Sequence, residues 1–380
     1  MSGFVASAKL FGTIFGMDYT TGLVIGAIVV VSYTFMGGFF AVCWTDFVQA
    51  LMMLLAVLVV PTIICVSGGG FASTMDAVNV QNPYLMSLFT NASSGKAIGF
   101  ISLISSLAWG LGYFGMPHIL VRFMSIKNAD EITHSRRIAM TWVIVCLGAV
   151  IMIGLLGRYY VSANSASLIA QGFVSADGSI DPERIFMILC QALCHPVVAS
   201  VLMAAILAAI MSTADSQLLV SASAFSNDMY KHLFRKKASN KELMWVSRAV
   251  VAVIAIIAVL IAYQGRPEEA SAAASAVAGK KGFLDVVMSL VSFAWAGFGA
   301  TFGPLVLLAL FWKRTNLAGA VAGMLVGGIT AFVWKFYLAD MASSCEIFGI
   351  YELVPGFVLS FAPIVVVSLL TKAPSKEIQE

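Results

Sequence analysis

The chain has 380 residues, of which 60% are hydrophobic and only 11% are charged, and its formal net charge is +3. Soluble globular proteins are about 25% charged, so this composition excludes an ordinary soluble domain and indicates many membrane-spanning segments. No basic patch is interleaved with exposed aromatic residues, so nothing in the sequence indicates nucleic-acid binding.

Nine apolar runs are each long enough to cross a bilayer as a helix. We expect transmembrane helices at about 20–36, 44–66, 98–120, 138–162, 197–222, 244–264, 284–311, 317–338 and 354–371. A tenth run, Phe4 to Phe15, is too short and contains Lys9. We interpret it as the remnant of a helix whose beginning is missing. Because no signal-peptide pattern precedes it, we expect a chain truncated at its N-terminus.

The distribution of Lys and Arg predicts the orientation of these helices. Most of the 22 Lys and Arg residues lie in alternate connections, at 121–137, 230–248 and 313–314, and in the tail from Lys372. By the positive-inside rule these connections face the cytoplasm, and the C-terminus is cytoplasmic. The intervening loops are then external, and the Ala/Ser-rich stretch 265–281 is interpreted as an external insert in a single transmembrane domain, 1–380.

The span 98–120 contains glycines and a proline close together, within the run from Ala108 to His118. Such an interruption predicts a broken helix, which is typical of transporter binding sites. Unwound backbone offers N–H and C=O groups, while Trp109 and Tyr113 add apolar walls, and this combination suits a small zwitterion. The alternative is a glycine face for close helix packing. A related run, 292–304, is either a second bent helix or a packing face, and we favour packing.

The span 197–222 carries a polar cluster inside an apolar helix. Ala209, Ser212 and Thr213 lie on one helical face, because positions three and four apart are neighbours. Two hydroxyls and a carbonyl suit a small hard cation. The alternative is that both hydroxyls bond back to their own helix or join two helices, and this stretch alone does not decide between them.

Two carboxylates occur at apolar depth. Asp46 lies near the start of a span and is interpreted as a helix cap or as part of a site. Asp215, beside Ser216, lies in mid-helix, so it requires a cation, a proton or a hydroxyl network as partner.

No enzyme signature is present: the sequence has no phosphate-binding loop, no Gly-x-Ser-x-Gly and no His-Glu-x-x-His. We therefore expect no catalytic activity and no organic cofactor, and any transport must use an ion gradient.

Several motifs resemble the sodium:solute symporter family. They include Tyr33 to Val42 followed by Trp44-Thr45-Asp46, and Asn316 to Gly323 after Lys313-Arg314. The runs Leu107 to Gly115 and Met211-Ser212-Thr213 are most similar to the proline branch of that family, as are Phe293 to Ala300 and Tyr351-Glu352. The resemblance covers nearly the whole chain.

The resemblance implies an all-α polytopic fold, an inverted-repeat bundle of leucine-transporter type. By resemblance, Na⁺ binds at Ala209, Ser212 and Thr213, and the substrate binds at Trp109, Tyr113 and Pro117 of the broken helix. A second sodium site of some members maps onto Asp46, Ser212, Asp215 and Ser216, although this chain has Asp215 where those members carry a hydroxyl. The first core helices of the family, which supply the other half of the main sites, have no counterpart in this sequence.

We therefore expect a sodium-coupled symporter for L-proline in the inner (plasma) membrane. The alternatives are a truncated fragment that does not transport, a sodium symporter for another small amino acid or carboxylate, and a membrane sensor that kept the fold.

Overall fold

The computed structural model describes residues 1–36, 39–174, 181–264, 287–343 and 345–374. All regular elements in these ranges are helical. The α-helices are α1 (Ser2–Phe15), α2 (Tyr19–Met36), α3 (Phe39–Ser67), α4 (Phe71–Gln81), α5 (Phe100–Leu107), α6 (Trp109–Gly112), α7 (Pro117–Met124), α8 (Glu131–Ala163), α9 (Ser165–Ala170), α10 (Ile185–Leu193), α11 (Pro196–Ser223), α12 (Asn240–Gln264), α13 (Val287–Phe311), α14 (Leu317–Val333) and α15 (Leu353–Leu370).

The predicted spans correspond to these helices. Within the described residues, seven helices are long and apolar enough to cross a membrane, and two bent helix pairs raise the number to nine if each pair is one span. One bent pair is Phe100–Gly115 with Pro117–Met124, at 48°, where the sequence predicts a broken helix. The other joins α1 to α2 at 117°, so the run interpreted as a remnant is a helix that turns sharply into the next.

Two helices leave α-geometry near their C-terminal ends. Residues Ala224–Phe234, after α11, and Trp334–Leu338, after α14, form π-helix. Insertions of this kind are rare and shift the side chains that follow onto a new face. The length of an apolar run does not indicate a π-helix, so the sequence predicts only that a span ends near each of these segments.

The chain divides into two compact units. Unit 1 comprises Met1–Lys96 and Lys127–Val287, and unit 2 comprises Ala97–Ile126 and Met288–Glu380. The predicted insert at 265–281 lies outside the described residues. The assignment of one transmembrane domain stays a prediction.

Unit 1 is built around α11, which packs against α1, α2, α3 and α12. Its main core contains fully buried aliphatic side chains such as Val60, Leu156 and Leu189. Lys9, the charged residue within the apolar sequence of α1, is ion-paired with Asp181, at 3.8 Å, and with Glu183. This pairing explains how α1 carries a lysine in an apolar environment, because a low-dielectric interior favours a charge only when it is paired.

Unit 2 contains the broken helix, α13 and the closely packed pair α14 and α15. A Cβ added to Gly323 would lie 2.1 Å from the Ile364 side chain. Only glycine therefore allows this approach of the two helices. Asn316 caps α14 by accepting a hydrogen bond from the Gly319 N–H at 2.9 Å.

Candidate functional site

The predicted site residues fall into two regions, one in each unit. Trp109, Tyr113 and Pro117 belong to unit 2, whereas Asp46, Ala209, Ser212, Thr213, Asp215 and Ser216 belong to unit 1.

In unit 2 the helix breaks between α6 and α7. After Gly112 the chain makes a 3₁₀ turn through Gly115, and Met116 is extended, with φ −82° and ψ 107°. Pro117 then starts α7, where its missing N–H costs nothing. The helix breaks here because Pro117 disfavours the α-conformation in the residue before it, Met116. Pro117 itself then begins the next helix.

Trp109 and Tyr113 are held by a residue of α13. The Trp295 ring stacks on Trp109, with centroids 5.4 Å apart and planes 13° apart, and meets Tyr113 edge-on at 4.8 Å. The Trp295 Nε1–H donates to the Trp109 carbonyl oxygen at 2.8 Å. This carbonyl therefore already accepts one hydrogen bond from within unit 2, although the sequence predicts free backbone groups along the break.

Tyr351 completes this group of rings. Its ring lies parallel to Trp109, with centroids 6.2 Å apart. We call Trp109, Trp295 and Tyr351 the aromatic stack. Tyr113 is 43% exposed, so part of this residue is accessible beside the stack.

The glycines of the broken helix differ in how closely other residues approach them. A Cβ on Gly112 would lie 1.9 Å from Trp295 Nε1, and one on Gly115 would lie 2.3 Å from the Phe298 carbonyl oxygen. These two glycines permit close packing on α13, as the alternative interpretation predicts. A Cβ on Gly110 would meet no atom within 4 Å, so packing does not explain that glycine.

The run 292–304 lies in α13, which continues through Pro304 from Val287 to Phe311. It provides the surface that receives the broken helix, since Gly299 and Gly112 are in close backbone contact. The interpretation of this run as a packing face is confirmed.

In unit 1 the residues Ala209, Ser212 and Thr213 form what we call the hydroxyl face of α11. Ser212 Oγ and Thr213 Oγ1 both donate to the Ala209 carbonyl oxygen, each at 3.1 Å. Three oxygens thus converge on one side of the helix. This geometry is back-bonding to the same helix, and it also presents hydroxyl lone pairs beside a carbonyl, so both interpretations of the sequence fit it.

One turn further along α11 lies a second polar group, the acidic cluster of Asp46, Asp215 and Ser216. Ser216 Oγ lies 3.3 Å from Asp46 Oδ2 and 3.4 Å from Asp215 Oδ1. The exposed fraction is 8% for Asp46 and 0% for Asp215. The packing of α3 against α11 therefore brings two buried carboxylates to one hydroxyl.

The interpretation of Asp46 as a helix cap is wrong. The α3 helix begins at Phe39, so Asp46 lies in its interior, beyond the turn whose N–H groups a cap satisfies. The neighbouring Thr45 Oγ1 receives a hydrogen bond from the Tyr33 hydroxyl of α2. Thr45 and Asp46 thus connect this end of α3 to α2 and α11 through polar contacts.

Sequence reasoning missed Trp295 and Tyr351 as members of the site. Both lie in runs that carry the family resemblance, but the run of Trp295 is interpreted as a packing face, and Tyr351 lies in a connection between two predicted spans. The available signal was the concentration of aromatic residues beside small ones, which also describes ordinary membrane packing.

The described residues contain no group of three or more His, Cys, Asp or Glu side chains that could hold a metal ion. The candidate site of unit 1 instead offers three hydroxyls, one carbonyl and two carboxylates. Hard cations prefer such oxygen ligands, whereas soft and borderline metals prefer sulfur and nitrogen.

Comparisons with known proteins agree with this chemistry. The chain is 42% identical to the sodium/proline symporter of Escherichia coli (strain K12) over 379 residues, which is 100% of this chain and 68% of that protein. It is 41% identical to the high-affinity proline transporter of Bacillus subtilis (strain 168), over 100% of this chain and 71% of that protein.

A solved structure is also similar. It is a Na⁺-coupled sialic acid symporter in a substrate-bound outward-open state, with a TM-score of 0.70 at 19% identity, over 98% of this chain and 71% of that chain. This likeness confirms the predicted all-α polytopic fold of leucine-transporter type. The transporter relatives and the candidate spans show a multi-pass membrane protein. The model of the sodium:solute symporter family matches residues 1–327, and the chain belongs to that family.

Proposed function

We propose that this chain carries out sodium-coupled symport of L-proline. The observation that carries the proposal is the break at Trp109–Pro117, with its aromatic walls, in a chain that is 42% identical along its whole length to a sodium/proline symporter. Proline has the matching chemistry, because it combines an apolar ring with a carboxylate and an ammonium group.

In the proposed substrate site, the pyrrolidine ring of proline packs on Trp109 and Tyr113, whose rings bring a large apolar area. Pro117 ends the unwound stretch and starts α7, whose N-terminus carries the positive end of the helix dipole. A substrate carboxylate suits that end, and a backbone carbonyl of the break suits the ammonium group.

In the proposed sodium site, Ala209 O, Ser212 Oγ and Thr213 Oγ1 are ligands. Each hydroxyl oxygen lies 3.1 Å from the Ala209 carbonyl oxygen, which supports the assignment. A hydroxyl that donates to this carbonyl still has lone pairs that can bind a cation. Asp46, Asp215 and Ser216 form a proposed second sodium site, supported by the approach of two carboxylates to one hydroxyl. Na⁺ is the co-transported ion, and we assign no catalytic step and no organic cofactor.

Coupling then follows from linkage. If sodium stabilises the conformation that binds proline, proline must raise the affinity for sodium by the same factor. We further propose that the protein lies in the cell inner membrane with its C-terminus cytoplasmic, which the Lys- and Arg-rich connections at 121–137 and 230–248 support.

The test is uptake of labelled L-proline by proteoliposomes that contain this chain. We expect uptake with an inward sodium gradient and none with potassium in its place. Ser212→Ala and Thr213→Ala should raise the half-saturating sodium concentration about tenfold, which corresponds to about 1.4 kcal/mol.

The matched control is Ser200→Ala. Ser200 Oγ also bonds back within α11, to the Pro196 carbonyl oxygen at 2.8 Å, but lies outside the proposed site. Sodium activation should be unchanged in this variant. Absence of sodium-dependent uptake by the wild-type chain would contradict the proposed function, and unchanged sodium activation in both hydroxyl variants would contradict the proposed sodium site.

A further inference from the structure

We propose that Tyr351, in the segment between α14 and α15, is a positioning residue for the substrate site and acts through the Trp109 indole. The inference rests on the proposed function, since it concerns the same site. Tyr351 lies outside the broken helix and 242 positions from Trp109 in sequence, yet its ring lies nearly parallel to that indole, at 13°.

The first part of the argument is ring contact. Trp109 is stacked on Trp295 at 5.4 Å and on Tyr351 at 6.2 Å. Both distances fall within the range of about 4.5–7 Å over which offset aromatic rings attract. The orientation of the Trp109 indole therefore depends on two rings that belong to other segments of unit 2.

The second part is that Tyr351 is itself fixed at both ends. Its hydroxyl donates to the Ser292 carbonyl oxygen of α13 at 2.6 Å, and its backbone N–H donates to Ser105 Oγ of α5 at 3.0 Å. Tyr351 thus touches the first half of the broken helix, the indole at the break and the helix that supports both. Burial, and then the Glu352 carboxylate, raise the pKa of the Tyr351 phenol above its usual range, so it remains a donor at neutral pH.

The third part is that the residues around Tyr351 are anchored. The Trp334 Nε1–H donates to the Ile350 carbonyl oxygen at 3.1 Å. Glu352, only 5% exposed, is ion-paired with Lys335 at 3.7 Å, and Leu353 is fully buried in the core around Ala296 and Phe357. The segment is thus a fixed support for the Tyr351 ring.

These contacts assign a specific task to Tyr351. With the ring in place, the Trp109 indole keeps the orientation in which it lines the break. Without the ring, the indole gains rotational freedom that substrate binding must then remove, so the affinity for proline falls while the sodium ligands, on α11, are unchanged.

The experiment compares Tyr351→Ala and Tyr351→Leu with Tyr351→Phe, which keeps the ring and loses the hydrogen bond to Ser292. Tyr351→Leu keeps apolar volume in case the alanine variant does not fold. Tyr337→Ala is the control, because Tyr337 is 66% exposed in the preceding π-helical segment. Each protein is measured for the proline KM, the half-saturating sodium concentration and the accessibility of Trp109.

Accessibility of Trp109 is measured without substrate. The emission of each protein minus that of its Trp109→Phe counterpart isolates the Trp109 signal, and acrylamide then quenches it. We expect the alanine and leucine variants to raise the proline KM about tenfold at unchanged sodium activation, and to make Trp109 about twice as quenchable. Tyr351→Phe should stay within about threefold of wild type in KM, since the stack remains.

A proline KM within about twofold of wild type in both the alanine and the leucine variant would overturn the inference, and so would unchanged Trp109 quenching in both. An equal rise in KM in Tyr337→Ala would also overturn it. Failure of the proposed function is distinct, because it appears as absent uptake in the wild-type chain, whereas the quenching measurement still reports whether Tyr351 holds the indole.

Discussion

The two candidate regions of this protein differ in the chemistry of the residues that line them. The broken helix of unit 2 is lined by rings and glycines, and its parts are held by stacking and by one indole–carbonyl hydrogen bond. The α11 region of unit 1 is lined by hydroxyls and carboxylates whose contacts are hydrogen bonds of 3.1–3.4 Å. The contrast teaches that one region suits an amphipathic organic molecule, which requires apolar area, and the other suits a small ion, which requires oxygen ligands.

If the two regions have these separate tasks, changes in one should alter proline affinity and changes in the other should alter sodium affinity. The largest effect is expected for Gly112→Ala. The added Cβ would lie 1.9 Å from Trp295 Nε1, so the broken helix must move away from α13. We expect the proline KM to rise about a hundredfold, as strain of about 2–3 kcal/mol disturbs the stack.

Uptake kinetics measure this effect, and the thermal stabilisation by sodium measures the other region, which should persist in Gly112→Ala. Gly297→Ala is the control, because a Cβ there would meet no atom within 4 Å. A Gly112→Ala protein with wild-type proline KM would show that the close contact is not required for the site.

The next effect concerns the acidic cluster. Asp215→Asn removes the negative charge of a fully buried side chain at the proposed second sodium site. We expect the half-saturating sodium concentration to rise by more than about tenfold, with the proline KM at saturating sodium unchanged. Asp228→Asn, at an exposed position, should leave both constants as in wild type. A change in proline KM alone would break the separation of the two regions.

A smaller effect is expected from pH on the support of the aromatic stack. Burial raises the pKa of the Glu352 carboxyl above its usual value of 4.5, and the nearby Lys335 partly opposes this rise. Because the folded-state pKa is the higher one, the stability linked to this group is fully present below about pH 4.5 and is lost as the pH rises through the folded pKa.

We therefore expect the difference in Tm between wild type and Glu352→Gln to change over that interval, with the wild type losing stability relative to the variant as the pH rises. Thermal unfolding in detergent across the pH range measures it. Glu346→Gln, an exposed change in the same segment, is the control variant. A pH-independent difference in Tm between wild type and Glu352→Gln would contradict a raised pKa of the buried Glu352 carboxyl.

The smallest effect distinguishes a hydroxyl ligand from side-chain bulk on α11. Thr213→Ser keeps the hydroxyl that bonds to the Ala209 carbonyl oxygen, whereas Thr213→Val keeps the shape and removes the oxygen. Sodium half-saturation should stay within about twofold of wild type for serine and rise about tenfold for valine. Equal values for the two variants would indicate that Thr213 acts by packing.

Much of the fold was predictable because a bilayer imposes one requirement on every span. A segment must be apolar over about 20 residues and must satisfy its own backbone hydrogen bonds, so run length alone locates the helices. Proline and glycine likewise predict the break at Met116–Pro117, because they act on the local backbone. Helix ends were less predictable: α8 begins at Glu131, several residues before its apolar run, since a helix continues through polar residues outside the bilayer.

The candidate site was predictable only in part. Ser212 and Thr213 share a face by helix geometry, which local spacing determines. The partners of Trp109 were not, because Trp295 and Tyr351 reach it across 186 and 242 positions of sequence. The cap interpretation of Asp46 failed because apolar run length did not locate the end of α3, which already includes Phe39, so Asp46 lies in the helix interior.

By itself, the sequence determined where the chain crosses the membrane, where one helix breaks and which face of α11 carries oxygens, since each of these follows from local hydrophobicity, backbone conformation or helical periodicity. Only the tertiary structure decided that Gly112 receives the Trp295 ring, that Tyr351 supports Trp109 and that Asp46 meets Ser216. Those contacts depend on which helix faces pack together, and many distant side chains set that packing jointly.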